Sequence, residues 1–398
     1  MRRTALALLL AAAACAPLAA QQRPGEAPRR PRLPAAADSN DARAYLEIGR
    51  DRMWERPREA ADAFYWAYQL DPGSAEALYG RYTALLIAEP RERVDYWSGE
   101  RRTAASREVQ AIDSLYSRAL ALDPFLYREY EMHVLRTLLA GILGRDRRDP
   151  RVGSSMHAFI ERGPPWMRGM EAYAQRRFPA AVTHLTTALL RAERKSGLRM
   201  ELGRIYAHVG NYEQALLEMQ LALEEAHRED EGGEELVNLY ESKALLEHSV
   251  GTLHERLGAL DSAQAAYNRA LGEDLSFYPA HVRLAMISLA RGDTAAAVAS
   301  LELAAQVATV EPTVSYVYAN VLAQAGRLDQ AAAQLGKTIA AAPWYAAPYA
   351  LLGVVRDHQG SAAAAAAAYR GFLDRAPRAD PRRPQLEARI AALEGGGG

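Results

Sequence analysis

The chain has 398 residues, which is enough for two or three domains or for one long repeat array. Its 48 Lys and Arg residues nearly balance its 49 Asp and Glu residues, so it lacks the basic excess that is typical of bulk nucleic-acid binding, and we expect no nucleic-acid partner. The 49% of hydrophobic residues excludes a wholly disordered chain. The single cysteine, Cys15, excludes an intrachain disulfide framework and a cysteine-rich zinc site.

The first 20 residues have the pattern of an export signal. Arg2 and Arg3 precede a run of Ala and Leu over residues 5–14, and residues 18–20 offer a small-residue cleavage site. The run is shorter than the ~20 apolar residues that a membrane-spanning helix needs. No later segment reaches that length without charges, so we expect no transmembrane helix in the mature chain. The pattern predicts a periplasmic or secreted bacterial protein.

Cys15 suggests an alternative localisation. Residues 12–15, Ala-Ala-Ala-Cys, resemble a lipoprotein box, in which the cysteine carries the lipid anchor. The box has Ala where Leu is usual, and apolar residues continue beyond the cysteine, so we favour cleavage after Ala20 over a membrane-anchored lipoprotein. The next segment, residues 21–38, is rich in Pro and Arg and has no periodicity, which predicts a solvated, extended linker.

Glycine recurs every 34 residues in the second half of the chain, at Gly258, Gly292, Gly326 and Gly360. Alanine follows each glycine by five residues, and Tyr or Leu follows that alanine by four. An upstream unit shows the internal pattern, in which Leu202, Gly203 and Tyr206 share one helix face, Gly210 ends that helix, and Ala215, Met219 and Ala222 share one face of the next helix. Neither helix can bury its apolar stripe alone, so the units must stack.

This pattern resembles the tetratricopeptide repeat (TPR), a 34-residue helix–turn–helix unit, most clearly over residues 196–377. The resemblance implies an all-α fold, namely a right-handed superhelical solenoid of about eight TPR-like hairpins. We place a signal peptide at 1–20, a linker at 21–38, degenerate repeats at 39–143 with an insertion at 89–106, a long loop at 144–165, the array at 166–377, a capping helix at 378–394 and a glycine tail at 395–398. Residues 125–143 are predicted to form one long helix.

Two sequence motifs of nucleotide-binding and zinc-dependent proteins are present only in part. The triplet Gly336-Lys337-Thr338 ends like a phosphate-binding loop, but position 331 is Ala where that motif needs Gly. His254-Glu255 begins a zinc-protease motif, but position 258 is Gly where the second His is needed. We therefore predict no catalytic residue, cofactor or metal. The basic cluster is interpreted as a flexible loop rather than as a site for an acidic partner, and it consists of Arg145, Arg147, Arg148 and Arg151.

In the TPR family the first helices of the units line a concave groove that holds a partner. Carried over by register, the resemblance implies a partner-binding groove lined by Trp166, Met170, Tyr173, Met200, Arg204, His248, Glu255, Met286, Tyr316, Asn320 and Asp357. Aromatic and Met side chains suit a peptide or protein loop. The family's chaperone-tail clamp needs paired Lys and Asn, and only Asn320 is suitably placed, so we do not expect that class of partner.

The preferred hypothesis is a non-catalytic scaffold of the bacterial cell envelope that binds a protein or peptide in this groove. One alternative is a self-assembling accessory subunit of an envelope complex, and the oligomeric state stays open. A second alternative is a cell-wall-acting enzyme with its chemistry in the two insertions. Those insertions hold residue types suited to acid–base catalysis without a motif spacing, namely Asp95, Trp97, Glu100, His157 and Glu161.

Overall fold

The computed structural model describes residues 27–88, 105–231 and 242–395. Every regular element in these ranges is an α-helix, which confirms the predicted all-α class. In chain order the helices are α1 Ala42–Arg52, α2 Pro57–Leu70, α3 Ala75–Ala88, α4 Ala105–Leu122, α5 Glu131–Ile142, α6 Pro150–Arg162, α7 Pro165–Ala174, α8 Phe178–Leu189, α9 Ser196–His208, α10 Tyr212–Glu231, α11 Lys243–Arg256, α12 Leu260–Glu273, α13 Tyr278–Ala290, α14 Thr294–Val307, α15 Pro312–Gln324, α16 Leu328–Ala341, α17 Ala347–His358, α18 Ala362–Arg375 and α19 Arg383–Gly395.

Consecutive helices pack as hairpins, and neighbouring hairpins pack on each other to form a solenoid. Between the hairpins α3/α4 and α7/α8 the packing runs through α5, which contacts both α3 and α7. The eight closely packed hairpins of the described ranges are α1/α2, α3/α4, α7/α8, α9/α10, α11/α12, α13/α14, α15/α16 and α17/α18. This agrees with the predicted number of about eight. The last helix, α19, packs on α18 and covers the end of the array.

The four repeated glycines end α11, α13, α15 and α17, the first helices of the last four hairpins. Gly258, Gly292, Gly326 and Gly360 have φ between 73° and 80°, a left-handed conformation that costs glycine no steric penalty. At the first of these turns, the amide of Gly258 donates to the carbonyl of Glu255 (2.9 Å) and the next amide donates to His254 (2.8 Å). Close helix crossing also depends on glycine, because a Cβ added at Gly203 would lie 2.9 Å from Met219 of the paired helix.

The prediction of a long loop at 144–165 is wrong, because residues Pro150–Arg162 form helix α6. Asp149 caps this helix by accepting from the amide of Arg151 (2.9 Å), and Pro150 occupies the first helical position. Val152, Met156 and Ile160 recur every four residues and are buried. The helix therefore forms because it buries one apolar face.

The charge of the predicted basic loop is partly neutralised by carboxylates within the same segment. Arg148 pairs with Asp146 (3.0 Å), and Arg145 and Arg151 pair with Asp149 (3.2 and 2.9 Å). The side-chain and backbone hydrogen bonds of Arg148 lower the pKa of Asp146 to about 2. The carboxylates of Asp146 and Asp149 thus offset about half of the positive charge of the four arginines.

The single helix predicted for residues 125–143 is wrong at its start, because α5 begins at Glu131. The carboxylate of Asp123 accepts from the amide of Phe125 (2.9 Å) and holds a turn between α4 and α5. Predictions for other segments lie outside the described residues, namely the signal over 1–20 with its Cys15, residues 89–104 of the insertion and residues 396–398 of the tail.

The prediction of a solvated linker is wrong in part over residues 27–38, because several of these residues pack on the helices while residues 27, 29, 32 and 34–36 are exposed. Pro28 is buried, and its carbonyl accepts from the indole N–H of Trp66 (2.9 Å). Arg30 lies over the rings of Trp66 and Trp344, 4.9 and 5.3 Å from the guanidinium carbon to the ring centroids. Since Trp344 belongs to the other end of the solenoid, residues 27–41 form a strap between the two ends, which we call the N-terminal strap.

Among the described helices, none is both long and apolar enough to cross a membrane.

Candidate binding cleft

The chain itself fills one end of the predicted groove. The turn after α4 packs against α7, α9 and α11, where Phe125 joins a core cluster with Met200. The hydroxyl of Tyr127 donates to the carbonyl of Tyr173 (3.0 Å), and the two rings meet edge to face at 5.1 Å. Met170 packs in the same cluster as Tyr127. Met170, Tyr173 and Met200 therefore contact the chain's own turn where the prediction places a partner.

Arg204 is likewise committed to an internal ion network. The carboxylate of Glu201 accepts from Arg204 (3.1 Å) and from Arg128, which lies in the turn after α4. Burial acts to raise the pKa of Glu201, but the two guanidinium charges outweigh it, so the net shift is downward. Arg128 also pairs with Glu131 (3.0 Å) and donates to the hydroxyl of Tyr116 (3.1 Å). This network joins the N-terminal helices to α9 and is structural.

Several other predicted groove residues also make contacts within the chain. Asp357 is held by Arg389 of α19 through two hydrogen bonds (2.6 and 2.7 Å). Tyr316 packs edge to face against Tyr345 at 5.5 Å, and Met286 packs against the core cluster of α13–α17. Asn320 is half-buried on α15, and Trp166 is exposed at the start of α7. Asp357, Tyr316 and Met286 are therefore engaged by other parts of the chain itself.

An open cleft does exist between α11, α13 and α15, and the end of α4 forms its remaining wall. Its volume is about 570 Å³. Its lining residues are Ala121, Leu122, Asp123, Pro124, His248, Thr252, Glu255, Arg256, Tyr278, Pro279, Val282, Arg283, Thr313, Val314 and Val317. Of the predicted groove residues, His248 and Glu255 line this cleft. We call it the α11–α15 cleft.

Charged groups lie along one side of the α11–α15 cleft. The carboxylate of Glu255 accepts from the hydroxyl of Tyr267 (2.9 Å) and from Arg283 of the next unit. Arg256 is exposed, and its guanidinium lies over the rings of Phe125 (4.9 Å) and Tyr212 (5.3 Å). Such stacking holds a guanidinium in place and leaves its edges free for hydrogen bonds.

His248 is buried in the wall of the cleft, where its ring packs against Tyr267 (5.4 Å) and Phe277 (5.5 Å). Burial, and to a smaller extent the charge of Arg283, lowers the pKa of His248 to about 3. The side chain is therefore neutral at pH 7 and is a very weak base.

The shifted pKa of His248 predicts a pH-dependent stability. An unfolded imidazole titrates near pH ~6.5, so the unfolded state takes up the proton first and the folded state loses stability as the pH falls from about 6.5 toward 3. We expect His248→Gln to reduce the loss between pH 7 and pH 5 by about 1–2 kcal/mol, as measured by urea unfolding at both pH values. The matched control is His157→Gln, since His157 is exposed on α6. Equal pH dependence in wild type and His248→Gln would contradict the assignment.

Sequence reasoning missed most of the cleft. Val282 lies 34 residues after His248, so the repeat register alone could have identified it. Arg256 directly follows the predicted Glu255, and its stacking on Phe125 depends on a contact between distant segments. Residues 121–124 have no such signal, because they reach the cleft only when the chain folds back on itself.

Neither of two sequence comparisons finds a match. No family model matches the chain, and no curated protein matches it. Solved structures similar to it include YrrB, a TPR protein with an unusual peptide-binding site (16% identity, 52% of this chain and 97% of that chain, TM-score 0.40). They also include the C-terminal part of a TPR repeat-containing protein from Cytophaga hutchinsonii (12%, 57% and 95%, 0.43) and MamA (16%, 47% and 97%, 0.37).

The enzyme alternative gains no geometric support in the described ranges. His157 and Glu161 both lie on α6 and are exposed, while Asp95, Trp97 and Glu100 are outside the described residues. Across residues 27–88, 105–231 and 242–395, no three His, Cys, Asp or Glu side chains gather as a metal site would need. Gly336-Lys337-Thr338 lies inside α16, where Thr338 is buried and donates to the carbonyl of Gln334 (2.9 Å).

Proposed function

We propose that this protein is a non-catalytic interaction scaffold that binds a segment of a protein or a peptide in the α11–α15 cleft. The observation that carries the proposal is the cleft itself, an open concave space at the first helices of three successive units. It differs from the predicted groove, because the units of α7 and α9 hold the chain's own turn instead.

The lining of the cleft suits a peptide of mixed character. Val282, Val314 and Val317 offer an apolar surface, and burial of apolar side chains supplies most of the affinity in such grooves. Arg256 and Arg283 stand beside this surface, where they can donate to backbone carbonyls or to a carboxylate. Glu255 partly neutralises the charge of Arg283, so a peptide need not be strongly acidic to bind in the cleft.

The lining chemistry does not favour catalysis. His248 is neutral with its pKa near 3, and the carboxylate of Glu255 is occupied by Tyr267 and Arg283. The hydroxyl of Thr252 donates to the carbonyl of His248 (2.9 Å) instead of pairing with a base. Among the described lining residues, no nucleophile stands next to a group poised to activate it.

We further propose that the scaffold works in the bacterial cell envelope after export. The export-signal pattern of residues 1–20 supports this localisation. Lipidation of Cys15, which would anchor the protein in a membrane, is the alternative to cleavage after Ala20. Mass spectrometry of the mature protein tests both, because cleavage after Ala20 leaves Gln21 as the first residue, whereas lipidation leaves a diacylated Cys15.

Site-specific crosslinking tests the binding cleft. A photoreactive phenylalanine analogue at Val317 is expected to crosslink a defined partner in the native bacterium, and the same analogue at exposed Val354 of α17 is the control. A second change, Val282→Glu, should reduce the crosslink at least several-fold, because it places a charge on the apolar wall. Equal capture at both positions, or capture that is insensitive to Val282→Glu, would contradict binding in the cleft.

A further inference from the structure

We propose that the contact between the two ends of the solenoid is a reversible closure that controls access to the α11–α15 cleft. The contact joins the N-terminal strap, α2 and α4 to the segments that start α15, precede α17 and follow α18. The proposal that the closure controls access to the cleft rests on the proposed function, whereas the proposal that the two ends can separate does not. Three sets of contacts form it.

The first set is an aromatic clasp made of Arg30, Tyr45, Trp66 and Trp344. The guanidinium of Arg30 lies 4.9 Å from the centroid of the Trp66 ring and 5.3 Å from that of Trp344. The two indoles meet edge to face at 5.6 Å, and the Nε–H of Arg30 donates to the hydroxyl of Tyr45 (2.8 Å). A single cation thus connects α1 and α2 to the loop before α17.

The second set is a buried ion network made of Tyr68, Arg118 and Glu311. Glu311 directly precedes α15, and its side chain is only 2% exposed. Arg118 of α4 pairs with this carboxylate and donates to the hydroxyl of Tyr68 (2.5 Å). That hydroxyl in turn donates to Glu311 (3.3 Å). Each member satisfies the others, so the network holds only while the two ends are together.

The third set is polar and lies at the surface. The side chain of Asn40 donates to the carbonyl of Asp374 (2.9 Å), and Arg378 donates to the carbonyl of Ala37 (3.1 Å). Asp38 accepts from the amide of Arg378. These bonds fasten the N-terminal strap to the end of α18 across more than 330 residues of sequence.

The composition of this contact indicates that it can open. In the described ranges, helices pack lengthwise only against helices near them in the chain. Neither α1 nor α2 packs in this way against α15, α16, α17 or α18. Apart from the edge-to-face contact of Trp66 and Trp344, the ends meet through stacked cations, a buried ion network and surface hydrogen bonds. Contacts rich in polar groups are typical between parts of a chain that move relative to each other.

The ion network connects this contact directly to the cleft. Ala121 and Leu122 form one wall of the cleft, and Arg118 lies one helical turn earlier on the same helix. Val314 of the opposite wall follows Glu311 by three residues. The bond between Arg118 and Glu311 therefore ties the two walls together, and its release lets them separate.

Distance measurement tests the closure. In a full chain with Cys15→Ser, spin labels at the exposed positions Ala36 and Ala379 report on the strap, and labels at Ala333 and Ala379 report on the C-terminal units alone. Trp344→Ala is expected to lengthen and broaden the first distance and to leave the second unchanged. The matched control is Trp166→Ala, because Trp166 is 42% exposed and Trp344 is 39% exposed. A first distance that does not change in Trp344→Ala would overturn the closure.

Thiol accessibility tests the control of access without any partner. Val317→Cys in the same Cys15→Ser background is expected to react with dithiobis(nitrobenzoate) several-fold faster when Glu311→Gln is added, and the exposed reporter Val354→Cys should react at an unchanged rate. Circular dichroism establishes that each variant keeps its helices. Trp344→Ala provides a second route to the same increase if Glu311→Gln fails to fold. If the distance between the labels at Ala36 and Ala379 increases but Val317→Cys does not react faster, the closure does not control access to the cleft. This test does not depend on whether a peptide binds.

Discussion

Replacing Glu201 with Gln is expected to lower the free energy of unfolding by about 3–5 kcal/mol, because it leaves buried arginine charges without their shared carboxylate. Glu201 accepts from Arg204 of its own helix and from Arg128 of the turn after α4. Both guanidinium groups are almost fully buried. Glutamine has nearly the same shape as glutamate, so the expected loss comes from charge and not from a cavity. Urea unfolding followed by circular dichroism measures it.

The control for this prediction is an ion pair that the solvent screens. Arg370 and Glu394 form a pair between α18 and α19 in which both side chains are about half exposed. Glu394→Gln is expected to cost less than about 1 kcal/mol, as exposed pairs generally do. A similar small cost for Glu201→Gln would show that the turn after α4 does not need this network.

The repeat itself could be predicted from the sequence because its causes are local. A glycine with positive φ ends the first helix of each of the last five hairpins, and the spacing of Gly258, Gly292, Gly326 and Gly360 identifies four of these turns. Small residues at helix crossings and apolar residues at helical spacing complete each hairpin. These signals lie within single 34-residue units, and the structure confirms the all-α repeat that they predict.

One missed helix had a signal in the sequence. Asp149 and Pro150 are a favoured pair for the cap and the first position of a helix, and buried residues follow at four-residue spacing through Ile160. The density of arginine and glycine in residues 144–165 favoured a loop instead. The capping pair, which acts on backbone groups, is the stronger evidence for secondary structure.

The candidate site was harder to predict because it depends on contacts between distant segments. Two of the residues chosen by register, His248 and Glu255 of α11, line the cleft. Register cannot indicate that Arg204 is paired with Glu201 and that Asp357 is paired with Arg389. A repeat pattern indicates which helix faces line the concave side. The structure is needed to show that the turn after α4 occupies part of that side.

Replacing Phe64 with Ala is expected to cost about 3–5 kcal/mol, since the ring is fully buried where three helices meet. A Cβ added at Gly49 of α1 would lie 2.6 Å from this ring, and one added at Gly80 of α3 would lie 2.4 Å from it. The ring therefore fills the space that the two glycines leave open. Phe159→Ala on α6 is the control, because that ring is 50% exposed and should cost less than about 1 kcal/mol.

A double-mutant cycle separates this packing from simple burial. Gly80→Ala alone should cost about 1–3 kcal/mol through overpacking against Phe64. In the Phe64→Ala background the added methyl group meets no ring, so its cost should disappear and helix propensity should make the change favourable by up to about 1 kcal/mol. Chemical unfolding of the four proteins gives the coupling energy. Additive costs would mean that Gly80 is not needed to admit the Phe64 ring, and that this small residue does not set the close crossing of α2 and α3.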